Sequence, residues 1–207
     1  MALATVDVNR LMDHVRVKCP GVLDGVVQME IFSVLDAFFM KTNIWTEDIP
    51  FPVTTSIKVG DQRDIVPSEG AINRLLWVWN ADKAIRRVTM PIPGTLEFAE
   101  VVDANGTWSA RVALTVTDPV AASGPTAGLP RAPAWVLKKY HEGLLSGVLS
   151  RLMSQVAKPY SNPRMALLHD RIYKSAESAA VSEARHQNLM GGQTWRFPQG
   201  FATGHQR

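Results

Sequence analysis

The chain has little of what staples, spans or reacts. One cysteine, Cys19, in 207 residues excludes an internal disulfide framework and any zinc site built on several cysteines. Cys19 stands directly before Pro20-Gly21 and reads as a small buried residue, not a nucleophile. No apolar run approaches the roughly 20 residues of a membrane span. The longest candidate, residues 26–40, is broken by Gln28, Glu30, Ser33 and Asp36. Residues 1–7 lack a basic stretch ahead of an apolar one, so no cleaved secretion signal is expected. Lysine and arginine form no run, and the net charge is only +3. That balance permits contact with nucleic acid without requiring it.

Reactive constellations are missing too. There is no phosphate-binding glycine loop, no dinucleotide fingerprint and no Gly-x-Ser-x-Gly elbow. His14, His141, His169, His186 and His205 are scattered, without a His-Glu-x-x-His pair. His141-Glu142 and His169-Asp170 are sequence neighbours whose side chains diverge on a helix, which is poor metal geometry. These histidines read as surface residues. Glu47, Asp48, Asp61 and Asp64 cluster near turns without calcium-loop spacing, and turn chemistry accounts for them. The expectation is therefore no catalytic residue, no cofactor and no metal: the chain does not read as an enzyme.

Acidic residues are also absent from residues 187–207, which hold Arg196 and Arg207, four glycines and Pro198. Glycine and proline at this density forbid a long helix. Yet Met190, Trp195, Phe197 and Phe201 are large and apolar, whereas plainly disordered tails are poor in aromatics. An extended tail with spaced aromatics fits pockets on another surface. Met190, Trp195, Arg196, Phe197, Phe201 and Arg207 are the candidate partner-binding residues. Folding back on the chain's own domain is the alternative.

What remains is ample for one domain with a real core. Hydrophobic periodicity predicts helices over residues 5–17, with Asp7 as N-cap, and 24–41, with Asp24 as N-cap. Residues 44–117 read as β-rich, with strands at 44–46, 53–59, 63–66 and 71–79. A hairpin of 95–102 with 107–117 is expected through Asn105-Gly106. Trp108, Ala110, Val112, Leu114 and Val116 alternate onto one apolar face, leaving Arg111, Ala113 and Thr115 on the other. A proline- and glycine-rich connector, 118–133, leads to a third helix over 133–158. Gly143, Ser146, Gly147, Ser150 and Ser154 give that helix a stripe of small residues. They mark it as central, packed either within the chain or against another subunit. A fourth helix is predicted over 163–187, with Met165, Leu168, Ile172, Ala176 and Ala179 on its packed face.

The fold class is thus α+β. A helical bundle (1–43 and 134–186) carries an antiparallel β-rich insertion (44–117), and an extended tail follows (187–207). Six tryptophans are many for this length. Trp77 and Trp79 point the same way on one strand. With Arg74, Arg86 and Arg87 they offer an aromatic face for single-stranded nucleic acid. Core or interface packing is the stronger expectation, because few basic residues interleave with them.

Four segments together resemble a known family. They are Cys19-Pro20-Gly21-Val22 leading into 26–42 and ending at Asn43-Ile44-Trp45, then Lys58-Val59-Gly60-Asp61-Gln62-Arg63-Asp64-Ile65, then Arg74-Leu75-Leu76-Trp77-Val78-Trp79-Asn80-Ala81-Asp82-Lys83. The fourth runs from Leu129-Pro130 through Lys158-Pro159-Tyr160-Ser161-Asn162-Pro163 and on through 164–184. Their order and spacing are similar to the head–tail connector, or adaptor, proteins of tailed bacteriophages, the short-tailed type above all. The resemblance covers about residues 10–186. It implies a small helical bundle with a β-rich insertion, in a homo-oligomeric ring of twelve beneath the portal. The implied partners are the portal protein, a tail nozzle or tail-tube protein, and double-stranded DNA passing without sequence specificity, with no membrane. The implied place is the virion head–tail interface, after synthesis in the host cytoplasm. C-terminal segments in this family commonly reach the portal, in line with the reading of residues 187–207.

Overall fold

The computed structural model describes residues 5–54, 56–80, 87–101, 106–117 and 130–188. Within them the protein is α+β, with antiparallel sheets. The order is β1 (Thr5–Asp7), α1 (Asn9–Lys18), α2 (Asp24–Thr42), β2 (Thr46–Val53), β3 (Gln62–Asp64), β4 (Ala71–Trp79), β5 (Val88–Ile92), β6 (Thr95–Phe98), β7 (Gly106–Thr115), β8 (Arg131–Pro133), α3 (Ala134–Lys139), α4 (His141–Met153) and α5 (Pro163–Asn188).

The bundle is built around α4. Leu144, Val148, Leu149 and Leu152 are fully buried, and each contributes on the order of 1.5–3 kcal/mol by leaving water. The small-residue stripe finds its partner inside the chain. A Cβ added at Gly143 would lie 2.2 Å from Ala176 Cβ of α5. One added at Gly147 would lie 2.7 Å from the Tyr173 ring of α5 and 2.9 Å from Val34 Cγ1 of α2. Missing side chains thus set how closely α4 meets α5 and α2, and Ser146 accompanies them by meeting buried His169, Oγ to Nδ1 at 3.3 Å.

Several boundaries differ from the sequence expectation. Residues 5–7 are a strand paired with β8 rather than helix, so the end of the connector is ordered against the start of the chain. The N-cap of α1 is Val8 and that of α2 is Leu23, neither with a side-chain cap bond. Asp24 instead takes two bonds from Arg16, at 2.9 and 2.7 Å, tying α1 to the first turn of α2. The expected helix over 133–158 is two helices, broken at Tyr140 (φ −104°, ψ 17°) and ended at Met153. Glu183 of α5 explains why the break is tolerated. It accepts from Lys139 Nζ at 2.6 Å and from the Tyr140 hydroxyl, so polar groups at the bend are met by a neighbouring helix.

Two three-stranded antiparallel sheets, ordered β2–β7–β4 and β3–β6–β5, form the insertion. Their inner faces meet through Phe51, Phe98 and Trp108, with ring centroids 6.1–6.4 Å apart. β2 runs through Pro50 and Pro52, where no strand was expected. It is an edge strand, and the two prolines share the side that needs no ladder bond, so pairing with β7 is uninterrupted. Among the described residues of the expected strand at 53–59, only Val53 belongs to a strand and Ile57 forms an isolated bridge. The expected hairpin of 95–102 with 107–117 is absent, because β6 pairs with β3 and β5 while β7 pairs with β2 and β4. The hairpin that does form joins β5 to β6 through Pro93-Gly94, with Gly94 at φ +92°. Proline followed by a positive-φ glycine is the chemistry of a type II turn. The last turn of β7 is buried on both faces, since Thr115 Oγ1 donates to Asp36 of α2 at 2.7 Å. Phe39 of α2 meets Trp45 at 5.3 Å and carries the core from bundle to sheets.

The α4–α5 seam yields a test. Gly143→Ala should destabilise the protein by about 1–3 kcal/mol, the usual cost of overpacking a dense contact. Adding Ala176→Gly should restore much of that loss. Urea unfolding of both variants checks it, and an unchanged midpoint for Gly143→Ala contradicts the seam.

Candidate functional site

Met190, Trp195, Arg196, Phe197, Phe201 and Arg207, the partner-binding residues expected from sequence, lie outside the described residues, as do Arg86 and His205. The structure describes the surface from which that segment departs, the C-terminal end of α5.

α5 does not pack as its sequence pattern predicts. Its buried positions are Ala166, His169, Glu177, Ala180 and Ala184, with Tyr173 and Ala176 packed against the core. Met165, Leu168 and Ile172 point outward, at 37%, 48% and 39% exposure, and Ala179 is exposed beside them. The contact with Gly143 and Gly147 decides this rotation. Close helix approach demands alanine and a flat ring at the seam, so the larger aliphatics are turned away. Polar side chains are buried in their place. Glu177 is nearly covered and takes a bond from Lys41 Nζ at 2.5 Å. The Tyr173 hydroxyl is buried without a hydrogen-bond partner among the described residues, and burial, then Glu177, pushes its pKa up to about 12.

Beside the outward stripe lies a groove of about 820 Å³. Ile172, Ala176 and Ala179 form one wall, and Tyr140 and Gly143 at the α3–α4 bend form the other. A second concavity continues it past Ser182 and His186 to Gln187, sharing Lys139 and Ala179 with the first. The two follow α5 almost to Asn188, where the described chain ends. Burial, then the Glu183 hydrogen bond, pushes the Tyr140 phenol well above its ordinary pKa. Lys139, then Tyr140, holds the Glu183 carboxyl below its ordinary value.

The tryptophan face is assembled by irregularity. Two register shifts in β4, between Ile72 and Arg74 and between Leu75 and Trp77, bring Arg74, Trp77 and Trp79 onto one face of the sheet. Arg111 of β7, unremarked in the sequence beyond its side of the strand, lies under both rings, 5.0 Å from the Trp77 centroid and 5.8 Å from that of Trp79. Its guanidinium is also held by Asp48 of β2, at 2.5 and 2.6 Å. A half-buried cation already neutralised by carboxylate and covered by indoles is poorly placed to attract phosphate. Trp45 and Trp108 are core residues.

The acidic residues behave as turn and sheet chemistry. Glu47 accepts from the Ser68 backbone, Asp61 from the Lys58 backbone and Asp64 from Thr95 Oγ1. Among the described residues no three such groups come together as a metal site. Cys19 is buried and its thiol pKa is raised by burial. The histidines are not all surface residues, as their scatter had implied. His169 is buried, with its pKa lowered by burial and then Lys18. His14 Nδ1 and His141 Nε2 meet at 2.8 Å between α1 and α4. Sequence separation hid that pair, since spacing within one helix is the only signal a reader can use.

No family model matches the chain, and no curated protein sequence matches it.

The His14–His141 contact makes stability respond to acid. Burial, then His14, lowers the His141 pKa, Glu142 opposes this and Arg10 reinforces it; Lys138 lines the same cavity. A histidine that binds its proton less tightly when folded stabilises the fold above its unfolded pKa of about 6.5, and that stability is lost as the pH falls. His141→Gln should therefore lose less stability than the wild type between about pH 7.5 and 5.5. Urea midpoints across that range check it, and parallel profiles contradict it.

Proposed function

We propose that this protein is a structural, non-enzymatic virion component: a head-to-tail adaptor whose ring of twelve copies joins the portal to the tail and surrounds the DNA channel. The outer face of α5 carries the reading. Met165, Leu168 and Ile172 have the spacing of a packed stripe, yet the single chain leaves them exposed, and clustered exposed apolar groups mark interaction sites. A helical bundle with a β-rich insertion is also the layout that the adaptor resemblance implies. The partners are further copies of the chain, the portal protein and a tail nozzle or tail-tube protein.

The C-terminal residues Met190, Trp195, Arg196, Phe197, Phe201 and Arg207 supply the attachment to the portal or to a neighbouring subunit. Burying each aromatic anchor contributes about 2–3 kcal/mol, much of it offset by ordering a free segment. Repetition around a ring turns modest single contacts into firm attachment. Arg196 and Arg207 add less wherever they stay exposed.

DNA passing through such a ring must not be gripped. Binding to DNA should be weak, independent of sequence and steeply reduced by salt. The decisive experiment is the solution mass of the 22.8 kDa chain, alone and mixed with the portal protein of the same phage. A complex with the portal is expected, and no complex with the portal overturns the adaptor. Nanomolar binding of single-stranded DNA at physiological salt, lost in Trp77→Ala or Trp79→Ala, would instead assign the chain to the nucleic-acid-binding class.

A further inference from the structure

The groove that begins at Ile172 of the outward stripe can take an extended segment, and the chain itself carries one of matching dimensions. Trp195, Phe197 and Phe201 are all odd-numbered, so in an extended segment they fall on one side. Six residues of extended chain span about 20 Å. Along α5 the groove and its continuation run from Ile172 to Gln187, a rise of about 22 Å. Ala176 and Ala179 on the α5 wall are small, which leaves room for flat rings, and Ile172 adds a larger apolar side chain to the same wall. The concavity opens at Gln187, one residue before the described chain ends, and nineteen residues follow Asn188.

We propose that residues 193–201 of one copy lie along the α5 groove of the next copy. This rests on the ring of the adaptor reading, though not on the portal. Donor segment and acceptor groove are different parts of one chain, so the contact is heterologous and propagates around a ring instead of closing as a pair. The concavity ends beside Gln187, so reaching the chain's own groove would need a reversal directly after Asn188. Gly191-Gly192 would permit that reversal, so self-docking is the outcome to be separated.

Complementation between full-length variants separates them. The acceptor-dead chain carries Ile172→Glu and Ala179→Glu, both exposed and both lining the groove. The donor-dead chain carries Trp195→Ser, Phe197→Ser and Phe201→Ser. Thermal unfolding confirms that each remains folded. The wild type should assemble, and each variant alone should be a monomer. An equimolar mixture should give one-to-one dimers and nothing larger, because only one working groove and one working donor segment remain per pair. A mixture that stays monomeric overturns neighbour exchange, as does a donor-dead chain that still assembles like the wild type. Dimers in the mixture, with no complex between wild type and portal, would uphold the exchange and sink the adaptor.

Discussion

The approach of α4 to α5 at Gly143 and Gly147 is the constraint on which the remainder of the structure turns. With no side chains at those two positions, Ala176 and the Tyr173 ring sit against the α4 backbone. Val34 of α2 closes on the same spot. The rotation of α5 is thereby fixed, and it turns Met165, Leu168 and Ile172 toward solvent. Nothing in the intrinsic preference of that helix would choose such an orientation. The choice is made by packing density, which outweighs the gain from covering three partly exposed aliphatic groups.

The same arrangement accounts for the polar residues inside. Glu177 is brought between α5 and α2, where Lys41 meets it. Glu183 reaches the bend at Tyr140 and accepts from both Lys139 and the phenol. A helix interrupted after its sixth residue would otherwise be a weak point. Here the interruption forms one wall of the groove beside α5. Fold and candidate binding surface therefore have one cause.

Much of this was legible beforehand. The α+β class, the bundle divided by a β-rich insertion, the span of β4 and the centrality of the small-residue helix all follow from periodicity and composition. The misses share a physical origin. β2 falls where no strand was expected, and its Pro50 and Pro52 are tolerated because it is an edge strand. Asn105-Gly106 spoke for a local hairpin, but β7 is shared between β2 and β4, far apart in sequence. The stripe of α5 was recognised, and its direction was not, since a periodic pattern says which residues share a face but not what that face meets. Arg111 could not be ranked above other arginines until two bulges in β4 placed Trp77 over it. Candidate contact residues such as Trp195 lie outside the described chain and stand on sequence alone.

The sheet face and the α5 face are rival sites of very different character. At the sheet, the Arg111 charge is met by Asp48 and covered by the faces of the two indoles. At α5, Met165, Leu168 and Ile172 leave apolar surface exposed. That contrast is why the functional reading rests on the helix. Buried Cys19 is the one cysteine in the chain, so a thiol placed on the stripe can be followed almost without background. The most direct measurement is the rate of maleimide labelling of Ile172→Cys in the assembled full-length protein. The comparison is the same reporter in a chain whose Trp195, Phe197 and Phe201 are changed to serine. The account predicts a thiol strongly protected in the first and open in the second; equal, rapid labelling in both would contradict it.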